Sequence, residues 1–325
     1  MNVFSSKKEN VTLFSTESLH DKDDLLHVFI VANPVNSLLV NLIIDHYSIS
    51  DQNVLIIPIR KSSTDMLPHE ILYTDQKIYD RLLMKTAGVS GVGLRVKSYL
   101  NKLNRNFLVY SSWMYAEVEA LVASRKCVGH CYIEEGQLSY YNSSVFGLLK
   151  GDWSSRRNRL NHGDLDVYFR SDYLLSFGLS DLSFPKLLKK KRVVFDKIDK
   201  ARLNYIPKLL GIKNIGLLPA PRRLANEDLA AAAELLVSKL PPGSVIKVHP
   251  GYNVHSNMRK IFFESLEQLS GGEVTLCSDD ISLELEMLYE RKNIIGARSS
   301  VEIYSEKFGS NFEKINFKGY RVPII

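Results

Sequence analysis

The chain has 325 residues, long for a single domain, so two domains around two cores are expected. It carries 42 Lys and Arg against 36 Asp and Glu, a formal net charge of +6 that favours an anionic partner: nucleic acid, an anionic membrane face, or a phosphorylated or carboxylated substrate. With 45% hydrophobic and 24% charged residues the composition is that of an ordinary soluble globular protein and excludes little else. Cys127, Cys131 and Cys277 form neither a metal-ligand spacing nor an even-numbered disulfide set, which points to a reducing, cytoplasmic compartment.

Residues 1–24 are polar and lack the apolar core of a signal peptide. The apolar stretches His27–Ala32 and Leu38–Ile44 fall short of the roughly 18 residues that span a bilayer, so any membrane contact is expected to be peripheral. The best candidate for it is the run Lys186 to Arg192, a cationic, leucine-containing patch suited to anionic lipid and equally readable as a solvated face.

In chain order, Leu26–Val31 reads as a buried strand and Pro34–Tyr47 as the helix behind it, followed by a strand over Asn53–Ile59. Ile71–Lys85 and Leu94–Lys102 read as helices joined by a glycine-rich loop, Gly88–Gly93; then come a strand at Phe107–Ser111, a helix at Met114–Arg125 and a strand at Gly129–Ile133. Residues 147–166 break the pattern with a polar, irregular insertion, and strands resume at Val167–Arg170 and Val193–Phe195. A second sheet is expected from Asn214–Pro219 onward. It continues with the helix Leu229–Ser238 behind an Asn226 N-cap, the strand Ser244–Val248, and the segments Ile261–Leu269, Val274–Cys277, Leu283–Glu290 and Asn293–Gly296. Alternating strands and helices predict parallel sheets wrapped by helices. The expected fold is therefore α/β, with two Rossmann-like domains, 1–200 and 201–325, facing each other across a cleft in the GT-B manner. The cluster Gly88–Gly93 has neither a P-loop ending nor the context of a dinucleotide turn.

Two short motifs sit where apolar strands break into loops. Glu134-Glu135-Gly136 follows Gly129–Ile133; adjacent carboxylates at a strand end point in different directions, so one of them can face a substrate as a base. Lys247-Val248-His249-Pro250 follows the second domain's second strand, where alternation would send a cation and an imidazole to one side, suited to an anionic leaving group. A third, Gly296 to Glu302, sets Ser299 and Ser300 at a helix start, a natural phosphate site.

In order and spacing these motifs resemble the D/E-D/E-G and H-P motifs of the bacterial sialyltransferases and polysialyltransferases, which use a CMP-activated nonulosonic acid. The resemblance covers the Glu-Glu-Gly turn and roughly the second half of the chain. It implies an inverting, metal-independent transferase with Glu134 as general base, Glu135 supporting it, and His249 on the CMP phosphate. Lys247, Pro250, Glu284, Ser299 and Ser300 complete the donor site, Glu284 at the ribose. It implies no cofactor beyond the CMP-sugar donor, a glycan acceptor from lipooligosaccharide or capsule at the inner membrane face, and no nucleic acid. The Glu-Glu form of the acidic motif leaves the base open between neighbours. The segment Leu218 to Arg223 matches no family motif, and its arginines either bind donor or solvate a loop. Three other readings stay open: a transferase for Kdo, legionaminic or pseudaminic acid; a nucleic-acid-binding protein, against which the positive residues are scattered and no RRM, helix-turn-helix or zinc pattern occurs; and a non-catalytic two-domain ligand binder.

Overall fold

Strand β1 (Leu26–Val31) has all six residues buried, as expected for a strand covered on both faces by helices. The computed structural model that contains it describes residues 24–59, 67, 71–72, 91–114, 116–140, 169–170, 172–297 and 299–320. These fall into two compact units divided between Asn204 and Tyr205.

In the first unit β1 leads into α1 (Pro34–His46), which starts cleanly because Asn33 caps it and Pro34 supplies a preset φ at its first position. Then follow β2 (Val54–Pro58), α2 (Gly91–Lys102), β3 (Phe107–Ser111), α3 (Ala116–Val122), β4 (Cys127–Ile133), β5 (Ser176–Gly178) and β6 (Arg192–Val194). The six strands pair in parallel in the order β2-β1-β3-β4-β5-β6, a doubly wound sheet. Its core gathers Val28, Ile30, Leu55, Val96, Phe107, Val109, Val118 and Tyr132.

The second unit contains β7 (Asn214–Leu217), α4 (Leu229–Lys239), β8 (Val245–Lys247), α5 (Ser256–Ser270), β9 (Thr275–Leu276), α6 (Leu283–Tyr289), β10 (Asn293–Gly296), α7 (Ser300–Lys307) and β11 (Asn311–Lys314). Its five parallel strands run in the order β11-β10-β7-β8-β9. The core packs Leu229, Ala233 and Leu236 of α4 and Phe262 and Leu266 of α5 around Ile246.

Several sequence expectations need correction. Gly91 and Gly93 are not loop but open α2, where a Cβ at Gly93 would lie 2.9 Å from the Cβ of Ala120; glycine lets α2 approach α3. Ile71 bridges Ile56 as an extended residue instead of starting a helix, and residues 73–85 lie outside the described residues. Phe169 and Arg170 are not strand, while Val167 and the insertion 147–166 lie outside the described residues. Asn226 opens a 3-10 turn instead of capping α4, whose N-cap position is Asp228. Strands β5 and β11 were not expected. The first is only three residues long, and the second is an edge strand with a mostly exposed Asn-Phe-Glu-Lys pattern that gives no alternation to read.

Candidate functional site

In the first unit the Glu134–Gly136 turn leaves the C-terminal edge of β4 and is held from three neighbouring elements. Gly136 adopts φ +116°, a backbone conformation open to glycine and strained for other residues. From α1, Asn36 Nδ2 donates to the Glu134 carbonyl at 2.6 Å, and from its N-cap Asn33 Nδ2 donates to the Glu135 carbonyl at 2.5 Å. Asn36 is 0% exposed; its Oδ1 accepts from Ala32 N at 2.9 Å, so the amide works as a fixed bracket between β1 and the turn. Glu135 N donates to Ser139 Oγ at 3.0 Å.

The two carboxylates differ sharply. Glu134 is 0% exposed; its Oε1 accepts from Tyr140 Oη at 2.6 Å and its Oε2 from Leu179 N at 2.8 Å. Burial, then the Glu134 charge beside it, holds the Tyr140 phenol well above its ordinary pKa. Glu135 is half-buried. The side chain that reaches solvent is thus Glu135, whereas the resemblance implies Glu134 as the base with Glu135 supporting it. The physical reason is local: Glu134 continues the pairing of β4 with β5, donating its own N–H to Phe177 O at 2.9 Å, so its side chain is carried inward under Leu179.

In the second unit, parallel pairing puts the ends of β7, β8 and β10 on one edge. Leu217 is in register with Lys247 on one side and Gly296 on the other. Strand order reverses between β7 and β10, and the crevice outside the carboxyl ends at such a point is where open α/β sheets take ligands. The loop after β7 and the loop carrying Ser299 flank this crevice, with the His249 turn one strand away.

His249 is exposed, and its Nδ1 accepts from Gly251 N at 2.9 Å. That bond places the proton of the neutral ring on Nε2 and makes Nε2 a donor. The turn also needs Gly251: a Cβ there would lie 3.0 Å from His249 Nδ1 and 3.1 Å from Cγ and Cδ of Pro221. The 3-10 turn Pro221–Arg223 is therefore packed directly against the His-Pro turn, which brings the unmatched Leu218–Arg223 segment to the site. Lys247 Nζ donates to the carbonyls of Ser278 at 3.0 Å and Asp279 at 2.7 Å, and burial lowers its pKa from the usual 10.5. Strand alternation alone would have aimed Lys247 with His249; the ammonium instead spends two of its N–H groups on the loop after β9. Ser299 caps α7 by accepting from Val301 N at 3.3 Å, and Ser300 is the first helical residue.

Glu284 is half-buried and accepts from Ser282 Oγ at 3.0 Å. Two residues on, Glu286 is fully buried and accepts from Tyr205 Oη at 2.6 Å, Lys208 N at 2.8 Å and Leu209 N at 2.9 Å. It clamps residues 205–209 to α6, a structural role that its sequence neighbourhood does not distinguish from that of Glu284. Within the second unit, then, the edge of the sheet collects Lys247, His249, Pro250 and the Ser299–Ser300 helix start, while Glu134 and Glu135 belong to the first unit. Sequence reasoning missed Asn33, Asn36 and Tyr140. The Ala-Asn-Pro-Val-Asn run at the end of β1 was the available signal, since two asparagines flanking a helix-starting proline are placed to cap and bracket. Among the described residues no group of three or more His, Cys, Asp or Glu gathers to hold a metal ion, and no helix is long and apolar enough to cross a membrane.

The fold is GT-B: two Rossmann-like α/β units, each built on a parallel sheet with a strand-order reversal. The chain aligns with a Listeria monocytogenes protein assigned as a UDP-N-acetylglucosamine 2-epimerase at a TM-score of 0.51 and 11% identity, covering 90% of this chain and 78% of that one. Weaker matches include Anabaena HepE in complex with UDP-glucose (TM-score 0.47, 9% identity, 88% and 79% covered) and a sialyltransferase from Photobacterium damsela (TM-score 0.47, 11% identity, 86% and 72% covered). The first of these carries the fold assignment, and at this identity it carries the fold alone. No protein-family model and no curated protein matches the chain.

Proposed function

We propose that the protein is a glycosyltransferase that moves a nonulosonic acid, sialic acid or a relative, from its CMP ester to a glycan hydroxyl with inversion and without a metal. The observation that carries this reading is the second unit's sheet edge, where the N-terminus of α7 stands at the strand-order reversal and the exposed His249, with Nε2 as a donor, one strand away. A nucleotide monophosphate leaving group develops negative charge as the anomeric C–O bond breaks, and prearranged donors at that point stabilise it. On this reading His249 donates a hydrogen bond to the departing phosphate, with the α7 N-terminus adding its dipole. Glu135 then takes the proton of the acceptor hydroxyl as its oxygen attacks the anomeric carbon, and CMP leaves with the bonding pair. Glu134, braced by Tyr140 and Leu179 N, holds the turn; Glu284 is assigned to the ribose. The acceptor is a surface-glycan precursor at the cytoplasmic membrane face.

The test is a calorimetric and thermal-shift comparison of CMP, CDP, UDP and GDP, each with and without EDTA. Selective stabilisation by CMP that EDTA leaves unchanged supports the reading. Preference for UDP or GDP keeps the fold and overturns the donor. Indifference to every nucleotide overturns the transferase reading in favour of a ligand binder of another kind.

A further inference from the structure

We propose that the loop between β5 and β6, residues 179–191, is a docking surface for an anionic phospholipid bilayer. Within this loop Leu182 is 69% and Leu188 51% exposed, and Lys189 and Lys190 beside Leu188 are exposed as well. Four lysines stand against one carboxylate, Asp181. A single exposed leucine needs no explanation, but two of them on one loop that also carries the exposed Lys189 and Lys190 form the pairing of apolar and basic groups that peripheral membrane contacts use.

The exposure is built in, because the loop is pinned from beneath. Phe184 is buried at φ +52°, its N–H donating to Ser139 O at 2.6 Å, and Leu187 is buried in the core. Leu188 N donates to Tyr173 Oη at 2.7 Å. Lys191 turns inward, donating to Tyr173 O at 2.7 Å with its ammonium 4.6 Å from that ring's centre. Arg192 grips the carbonyls of Asp181 and Phe184. A loop that buries Phe184 and Leu187 by such contacts, yet leaves Leu182 and Leu188 outside, holds both leucines exposed on a fixed backbone. Charge complementarity selects its occupant: the lysines attract anionic headgroups while the leucines enter the acyl boundary, where a nucleic acid would leave them unused.

The loop is also continuous with the candidate base. Leu179 N bonds Glu134, and Ser139 joins Phe184 N on its carbonyl to Glu135 N on its hydroxyl. Docking therefore holds the Glu134–Gly136 turn close to the lipid, where a membrane-anchored acceptor would be met. The docking itself does not depend on the glycosyltransfer reading; that last consequence does.

The experiment is flotation of the 325-residue chain with vesicles of phosphatidylcholine alone or with about a third phosphatidylglycerol, in low and high salt. The expected result is binding to anionic vesicles only, lost near 1 M salt, where the screening length falls to about 3 Å. Lys189→Gln with Lys190→Gln lowers vesicle partitioning about fivefold per lysine. Leu182→Ser with Leu188→Ser lowers it as well while keeping the salt dependence. Circular dichroism confirms that both variants, changed only at exposed positions, remain folded. Equal binding to neutral vesicles, no binding to anionic ones, or undiminished binding by both variants overturns the proposal. So does self-association that the Leu variant abolishes in the absence of lipid, which would make a second copy the occupant. No nucleotide enters this assay, so its failure is separate from failure of the donor reading.

Discussion

Exchanging the two neighbouring carboxylates separately should split stability from turnover. Glu134 is fully buried and accepts from Tyr140 Oη and Leu179 N. Glu134→Leu leaves Leu179 N buried without its acceptor, at about 1–3 kcal/mol, and takes from Tyr140 Oη its charged acceptor, at about 1.5–3 kcal/mol, so a loss of about 2–6 kcal/mol is expected. Glu134→Gln is milder: its amide oxygen can serve Leu179 N and its NH2 can donate to Tyr140 Oη, leaving a cost of about 1–2 kcal/mol for the lost charge assistance. Glu135→Gln, at a half-buried position, should change stability by under about 1 kcal/mol yet lower turnover by about 10²–10⁴-fold, the range for removal of a general base. Because the chain has two units, a single melting temperature is a poor readout. Hydrogen exchange in β4 and β5 under mild denaturant isolates the relevant one, alongside CMP-sugar turnover. An inactive but fully stable Glu134→Gln paired with an active Glu135→Gln would return the base to Glu134 and refute the reasoning from burial.

Three further outcomes are expected. Gly251→Ala forces the His249 and Pro221 turns apart at a cost of about 1–3 kcal/mol and should weaken CMP binding roughly tenfold by calorimetry; unchanged affinity would mean the turns do not shape the donor site. His130 is buried, its Nε2 has no partner among the described residues, and burial lowers its pKa to about 4, so the folded state binds its proton less readily than the unfolded chain. Stability should then fall by about 3 kcal/mol as pH drops from about 6.5 to about 4, and His130→Phe should flatten that slope in denaturant titrations. Glu286→Ala takes the charged acceptor from Tyr205 Oη and Lys208 N and leaves the buried Leu209 N without one, and should cost about 2–4 kcal/mol, with amide protection lost first at Lys208 and Leu209; protection kept there would show that residues 205–209 are held by other contacts.

Much of the architecture was readable from local pattern. Runs such as Leu26–Val31 and Phe107–Ser111 are short, apolar and bounded by turn residues, and their alternation with helical spacing is enough to predict parallel sheets. The glycine after Glu134-Glu135 and the strand before His249-Pro250 likewise place both motifs at strand ends, since those features depend on nearest neighbours. Which way a side chain points was a different matter. Glu134 and Glu135 are chemically equivalent in sequence, and only the pairing of β4 with β5 turns one of them under Leu179. Glu284 and Glu286 look alike on paper, yet residues 205–209, far away in the chain, bury the second. Lys247 was expected to align with His249 by alternation, and the carbonyls of a loop 31 residues on draw it aside. Local propensity acts through backbone geometry within a few residues, so sequence determined most of the elements and the motif positions, though not short or edge strands such as β5 and β11. Burial and hydrogen-bond pairing are settled by residues distant in the chain, so tertiary structure alone decided which carboxylate is sealed, which amides bracket the turn, and which leucines remain outside.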